Sequence, residues 1–519
     1  MTIYNEALTV GHLPHQHAAL HSRRDKVAVV EGEERFTWAE VSERTARLAN
    51  ALSALGIGRG DKVSVFLPNR AQYVEIVYAI AGLGAAVVPI SYRFVPSEVE
   101  YAVRFSDSKA VILDATLLDT FVAAHESLDH IASDRVVVLG GADPSTGYRD
   151  YDELLASAEA SLDYLVLDEW DIYHLAFTGG TTGYPKACEV PQRMARQNWY
   201  DITVEVGVRE DDTTLIAGPF YHGLGFMWGL QQLMVGGTVV MQRNFDARGA
   251  LALIEQERVT FTPMAPTMYT MLLEVEEKDT FDVSSMRGLV SAAAPLLTST
   301  KERLLDYFSG AGLFEYYGAT EAGFYSVLKP ADQLRKVRSV GQAWFGCELR
   351  ILDAEGNDVP VGEVGQIYKR GPGLGVRYYK NPEATAEAFR GEWLTSGDLG
   401  RLDEEGYLYV VDRAKDMIIS GGVNIFPTEI EEVVAAHPDV VEVAVIGLPD
   451  ETWGETVHAY VVMRAGAELD EGVLNALCAE RLAKYKRPRH YHAVAELPKN
   501  ASGKLLKRVL RDQVAASGH

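Results

Sequence analysis

Cysteine is scarce in this 519-residue chain: Cys188, Cys347 and Cys478 lie far apart and are odd in number. They provide no disulfide framework and no metal-ligand spacing, and a reducing, cytoplasmic setting is expected. Basic charge is also short. Forty-nine Lys and Arg against 73 Asp and Glu leave a formal net charge of −24, a field that repels nucleic acid and anionic membrane surfaces. Long apolar runs are missing. The longest, around Ile76 to Ile90, contains Gly82 and Gly84 and is too short to span a bilayer. The first residues lack a basic region followed by an apolar core, so no secretory leader is expected. What remains is 47% hydrophobic and 24% charged residues, the composition of a globular enzyme, at a length that suits roughly two to four domains.

Helical and strand patterns alternate. Thr37 and Glu40 fit a capping box that opens a helix. Val41, Leu48, Leu52 and Leu55 form its apolar stripe and Gly56 its stop. Lys62 to Leu67 then reads as a strand, and this βα alternation predicts a layered α/β architecture. After Asp412 a second pattern begins. Thr428 and Glu431 fit another capping box, for a helix ending near His437-Pro438. Val440 to Leu448 reads as a strand, and Glu471 to about Lys484 as a last helix ending near Pro488.

The richest segment is Thr178-Gly179-Gly180-Thr181-Thr182-Gly183-Tyr184-Pro185-Lys186, which follows an apolar strand pattern, Ile172 to Phe177. Glycines let backbone N–H groups approach an anion, threonines add hydroxyl donors and Lys186 adds a cation. A flexible surface turn is the plain alternative. The segment does not follow the Walker pattern G-x-x-x-x-G-K-[ST]. Downstream come Tyr316-Tyr317-Gly318-Ala319-Thr320-Glu321, Thr395-Ser396-Gly397-Asp398, Asp412-Arg413-Ala414-Lys415-Asp416, Ser420-Gly421-Gly422 and Pro498 to Lys504.

These six blocks, in this order from about Phe36 to Lys504, resemble the adenylate-forming superfamily of acyl- and aryl-CoA synthetases, luciferases and peptide-synthetase adenylation domains. The resemblance implies a large layered N-terminal domain of mixed sheets and helices, 1–412, which binds ATP and the acid. It also implies a small mobile α+β C-terminal domain, 413–519. Thr178, Gly179, Gly180, Thr181, Thr182, Gly183 and Lys186 would handle the β- and γ-phosphates. Gly179 stands where serine is commoner and Ala187 where glycine is usual, and neither change removes a charge. Thr320 and Glu321 would touch the α-phosphate, with Glu321 and Thr181 on Mg²⁺. Tyr316, Tyr317 and Gly318 would lie at the adenine, Tyr317 stacking on it, with Ala293 and Ala294 along its edge. Asp398 would bind the ribose with help from Arg413. Lys415 occupies the hinge position, and Lys504 would bridge the carboxylate and the α-phosphate. Outside these blocks, Glu321 would be an ordinary surface carboxylate, Lys415 a solvated lysine and Tyr317 a core aromatic.

Tyr221-His222-Gly223 follows Pro219-Phe220 and resembles the histidine block of acid–CoA ligases. Tyr221 stands where amino-acid-activating domains carry an aspartate, and His222 would sit at the mouth of the acid pocket. Tyr221, Phe226, Trp228, Met264, Met268 and Gly323, with Phe220, Met227 and Tyr269, are candidates for its wall. They are apolar and lack an arginine, which argues against a dicarboxylate and suits an aromatic, alicyclic or fatty acid. Gly421 and Gly422 would leave room for pantetheine. Trp453, Tyr485, Arg487 and Arg489 would meet coenzyme A, the plain alternative for the basic cluster being a cationic helix C-terminus. The expected activity is an ATP- and Mg²⁺-dependent acid–CoA ligase. Transfer of the acyl-adenylate to a carrier protein, a luciferase-type monooxygenase and a non-catalytic nucleotide-binding protein stay open. The residues leave the oligomeric state open, a homodimer included.

Overall fold

The computed structural model describes residues 9–161, 167–178, 186–375, 377–413, 416–420, 423–450, 452–499 and 505–516, with the main chain alone for Asp412, Arg413, Asn424 and Ala516. Two large sheets face each other across a layer of helices. One contains, in spatial order, Gln342–Ala343, Gly323–Leu328, Gly312–Ala319, Gly288–Ser291, Phe261–Met264, Thr213–Ile216, Thr238–Met241, Val27–Glu31 and Glu34–Thr37. The other runs Arg377–Tyr378, Lys186–Pro191, Ile172–Thr178, Ala86–Pro89, Lys62–Phe66, Ala110–Asp114, Val136–Leu139 and Arg149–Asp150. Their inner strands are parallel and valine-rich, as strands covered on both faces are.

The helix layer explains why the apolar run at Ile76 to Ile90 stays inside the protein. Helix Gln72–Gly82 is buried on every face and leads into strand Ala86–Pro89. A helix hydrophobic all round belongs in a core. Its one acid, Glu75, is held by Arg44 at 2.6 and 2.8 Å and by the Tyr151 hydroxyl at 2.6 Å, so the buried charge is paired. Helix Trp38–Ala54 starts at the expected capping box, with both Thr37 and Glu40 bonds formed. No helix among the described residues is long and apolar enough to cross a membrane.

A third sheet holds Phe389–Arg390, Trp393–Leu394, Gly365–Arg370, Asp398–Leu402 and Leu408–Arg413, with Glu348–Leu352 paired to Gly365–Arg370. Its last strand crosses the expected 412/413 boundary. The C-terminal α+β unit follows. Val423–Ile425, Ile418–Ser420, Gly454–Met463 and Val440–Asp450 form its sheet, with His490–Ala493 paired parallel to Gly454–Met463.

Two expectations are corrected in this unit. Helix Pro427–Ala435 begins after Phe426, not at a Thr428–Glu431 capping box. The Thr428 hydroxyl donates to the Val411 carbonyl, and Glu431 accepts from the Val445 amide at 2.7 Å and pairs with Lys507 at 2.8 Å. Tertiary partners had claimed both side chains. Glu471–Arg481 is not the last helix either. Lys507–Ala516 follows and packs on strand Val440–Asp450, with Leu510 buried beside Ile446 and Leu497.

Candidate active site

The hairpin Ile172–Thr178/Lys186–Pro191 sets the two ends of the glycine-threonine segment opposite each other. Thr178 and Lys186 are register partners, and the Thr178 hydroxyl donates to the Lys186 carbonyl at 3.3 Å. Gly179, Gly180, Thr181, Thr182 and Gly183 lie outside the described residues, as do Lys415, Gly421, Gly422, Lys504 and the side chain of Arg413.

Strand Arg377–Tyr378 adds to the edge of this hairpin, Tyr378 opposite Cys188. The Lys186 ammonium lies 5.0 Å from the Tyr378 ring centroid. The hydroxyl of that ring donates to Glu321 Oε1 at 2.8 Å. Burial and the Glu321 charge push the Tyr378 hydroxyl up, so it stays a donor. Glu321 sits in the turn between Gly312–Ala319 and Gly323–Leu328. Its carbonyl accepts from the Gly375 amide at 2.8 Å, and the Ala322 amide closes the turn on the Ala319 carbonyl at 3.1 Å. Thr320 is exposed beside it. The second Glu321 oxygen has no partner among the described residues. One oriented carboxylate fits Mg²⁺, which takes few protein ligands when phosphate oxygens supply the rest.

On the same strand, the Tyr317 hydroxyl donates to Asp398 Oδ2 at 2.5 Å, and the Ser396 hydroxyl donates to the same oxygen at 2.8 Å. Burial and then Asp398 push the Tyr317 hydroxyl up. The Tyr317 ring packs on Tyr325, centroids 4.9 Å apart. Asp398 and Arg413 are register partners on adjacent strands. Gly318 approaches strand Gly323–Leu328 so closely that a Cβ there would meet the Gly323 carbonyl at 2.6 Å. Ala293 and Ala294 are exposed just beyond strand Gly288–Ser291, Ala293 with φ +73°, an uncommon conformation for a residue with a side chain.

His222 precedes helix Gly223–Met234, and its carbonyl accepts from the Phe226 amide at 2.9 Å. It lines a cavity with Leu224, Gly225, Pro263, Met268 and Ala293. Tyr221 packs edge-on to Tyr92, 5.6 Å away. Phe226 and Trp228 are buried, Phe226 against His174 and Trp228 near Tyr316. Tyr316 also meets Phe324 at 4.8 Å. Met264 does not line the cavity; it is fully buried in a second core with Tyr269, whose hydroxyl donates to the Thr262 and Val290 carbonyls. Gly323 takes φ +62°, and a Cβ there would stand 2.8 Å from Asn198 Oδ1. Asn198, like Tyr378, lies outside every motif block.

In the C-terminal unit the Arg489 guanidinium lies 4.6 Å from the Trp453 ring centroid, and Trp453 and Tyr485 are exposed. Ser420 pairs with Gly454, so the strand leading to Gly421 runs beside Trp453. Arg487 is used differently: it donates to the Leu482 and Ala479 carbonyls at 3.0 and 3.3 Å and closes the end of helix Glu471–Arg481, the plain alternative for that cluster. Lys486 pairs with Glu429 at 2.7 Å.

The sequence pattern of the AMP-binding enzyme family matches residues 16–379, and that of the AMP-binding enzyme C-terminal domain matches 429–504. The chain belongs to the AMP-binding enzyme family. It is 36% identical over 487 residues to a feruloyl-CoA synthase of Amycolatopsis sp, covering 93% of this chain and 95% of the relative. It is 35% identical to a 2-succinylbenzoate–CoA ligase of Geobacillus kaustophilus, covering 94% and 95%. Among solved structures it superposes on an anthranilate CoA ligase in complex with anthranoyl-AMP with TM-score 0.91, 28% identity and coverage of 100% and 99%. With o-succinylbenzoate CoA synthetase from Bacillus subtilis, in complex with ATP and magnesium ion, the TM-score is 0.85 at 30% identity, covering 97% and 99%.

Proposed function

We propose that the chain is an ATP-dependent ligase that joins an apolar carboxylic acid, aromatic, alicyclic or fatty, to coenzyme A. The acid's carboxylate oxygen attacks the α-phosphorus of ATP and pyrophosphate leaves. The thiol sulfur of coenzyme A then attacks the acyl carbon, its proton is lost to solvent, and AMP leaves. The observation that carries this reading is the pair of polar clusters on one strand and turn: Tyr317 with Asp398, and Glu321 with Tyr378 and Lys186. Tyr317, the partner of Asp398, and Glu321 lie on one strand and the turn that follows it, which suits a ribose-binding and a metal-binding carboxylate serving one nucleotide.

In this reading Lys186 neutralises the leaving pyrophosphate, and Thr320 and Glu321 hold the α-phosphate and Mg²⁺. Mg²⁺ supplies charge neutralisation on the phosphate oxygens. Lys504 adds a cation where the pentavalent phosphorus develops charge. His222 and Met268 border the acid. Trp453, Arg489 and Tyr485 take coenzyme A. Residues 1–412 and 413–519 act as two units turning about Lys415, one pose for each half-reaction. A reducing cytoplasm suits the three cysteines, two of them buried.

ATP-dependent pyrophosphate release over benzoates, cinnamates, alicyclic acids and graded fatty acids, with and without coenzyme A, tests the reading. Turnover that needs coenzyme A and peaks on one acid class is the expected result. A single burst that coenzyme A does not convert to turnover would make a carrier protein the acceptor.

A further inference from the structure

Lys369 is a lysine where lysine rarely lies. It occupies strand Gly365–Arg370 and is 0% exposed, whereas lysine is almost never fully buried unless paired. Its ammonium donates to the Ala322 carbonyl at 2.5 Å. It also faces Cys347 and Asp201 and lies 5.9 Å from the Tyr325 ring centroid. Burial lowers its affinity for the proton, opposed by Cys347 and Asp201. A methionine would fill the same volume without a buried charge, so ordinary packing does not call for the ammonium.

The bond to Ala322 falls one residue from Glu321. Three groups from one stretch of chain therefore hold that turn from behind: Lys369 on the Ala322 carbonyl, Gly375 on the Glu321 carbonyl and Tyr378 on the Glu321 carboxylate. We propose that Lys369 is a positioning residue that fixes the Thr320–Glu321 turn so that the Glu321 carboxylate is presented to the metal of a bound nucleotide. The proposal rests on the reading of Glu321 given above.

The competing account is that Lys369 only compensates Asp201. That carboxyl is 2% exposed, accepts from Gln197 at 2.8 Å, and is pushed up to about 6 mainly by burial. The two accounts separate in a binding experiment without the acid, where no turnover occurs. ATP affinity is measured by calorimetry with Mg²⁺ and with EDTA, and the gain due to Mg²⁺ is compared among the wild type, Lys369→Met, Lys369→Met/Asp201→Asn and Glu321→Gln. The double variant removes both buried charges, so it folds if compensation of Asp201 is all that Lys369 supplies to stability.

The proposal expects both Lys369 variants to lose the Mg²⁺ gain by about tenfold or more, the scale of one charge-assisted hydrogen bond, with ATP affinity in EDTA nearly unchanged. A wild-type gain in either folded Lys369 variant overturns it. A gain lost in Glu321→Gln but intact in Lys369→Met overturns the lysine's role alone, and a gain intact in both overturns the reading of Glu321 with it. Should neither Lys369→Met variant fold, Lys369→Arg decides. It keeps a cation beside Asp201 with a bulkier head against Ala322, and an unchanged gain there also overturns the proposal.

Discussion

The Tyr378 hydroxyl donates to the Glu321 carboxylate at 2.8 Å across 57 residues of sequence. Tyr378→Phe keeps the ring under Lys186 and removes only that bond. A hydrogen bond to a charged group is worth about 1.5–3 kcal/mol, so half-saturation by Mg·ATP should rise by roughly one to two orders of magnitude. The melting temperature should change little. The ATP dependence of pyrophosphate release measures the first and calorimetry the second. An unchanged ATP dependence would remove Tyr378 from the site.

Lys504→Ala should slow acyl-adenylate formation by about 10²–10³-fold, the usual loss when one donor to developing charge is removed. Thioester formation from a synthetic acyl-adenylate should continue at the wild-type rate. Pyrophosphate exchange into ATP follows the first step and thioester absorbance the second. Wild-type exchange in the variant would refute the assignment.

Gly422→Leu places a branched side chain where pantetheine is proposed to pass. Thioester formation should fall while pyrophosphate exchange persists. Equal loss of both half-reactions would contradict the two-pose scheme.

Acid should destabilise the fold through histidines that burial keeps neutral. His174, 7% exposed and packed on Phe226 at 4.5 Å, is lowered to about 3; His17, 4% exposed, is lowered to about 4 by burial and then by Arg23. Each depressed group contributes stability that is present above the unfolded value of about 6.5. That contribution is lost as pH falls towards 3–4, because the unfolded chain takes up the proton first, at about 1.4 kcal/mol per pH unit and group. The melting temperature should therefore decline below pH 6.5. His174→Gln should make the decline shallower, and an identical slope in wild type and variant would exclude His174 as a contributor.

Local chemistry was legible in the sequence where the partners are local. The Thr37–Glu40 capping box formed because donor and acceptor lie one turn apart. The same signature at Thr428 and Glu431 failed because Val411, Val445 and Lys507 bind those side chains from elsewhere in the chain. Helix Lys507–Ala516 escaped notice beyond the Pro488 stop; its polar face conceals the few apolar residues, such as Leu510, that anchor it. The layered architecture followed from the βα alternation, and the motif blocks marked the strand and turn that carry Tyr317 and Glu321. Lys369, Tyr378 and Asn198 stayed hidden. What singles them out is a carbonyl, a carboxylate and a glycine respectively, each brought near by packing between elements far apart in the chain rather than by spacing.

The two-residue strand Arg377–Tyr378 gives one ring two charged neighbours, Lys186 on its face and Glu321 on its hydroxyl. The Lys186 cation and the Glu321 carboxylate should therefore be energetically coupled through Tyr378. In a double-mutant cycle, changes at Lys186 and Glu321 will not sum, because groups that share a partner rarely behave independently. The coupling energy should vanish once Tyr378 is replaced by alanine.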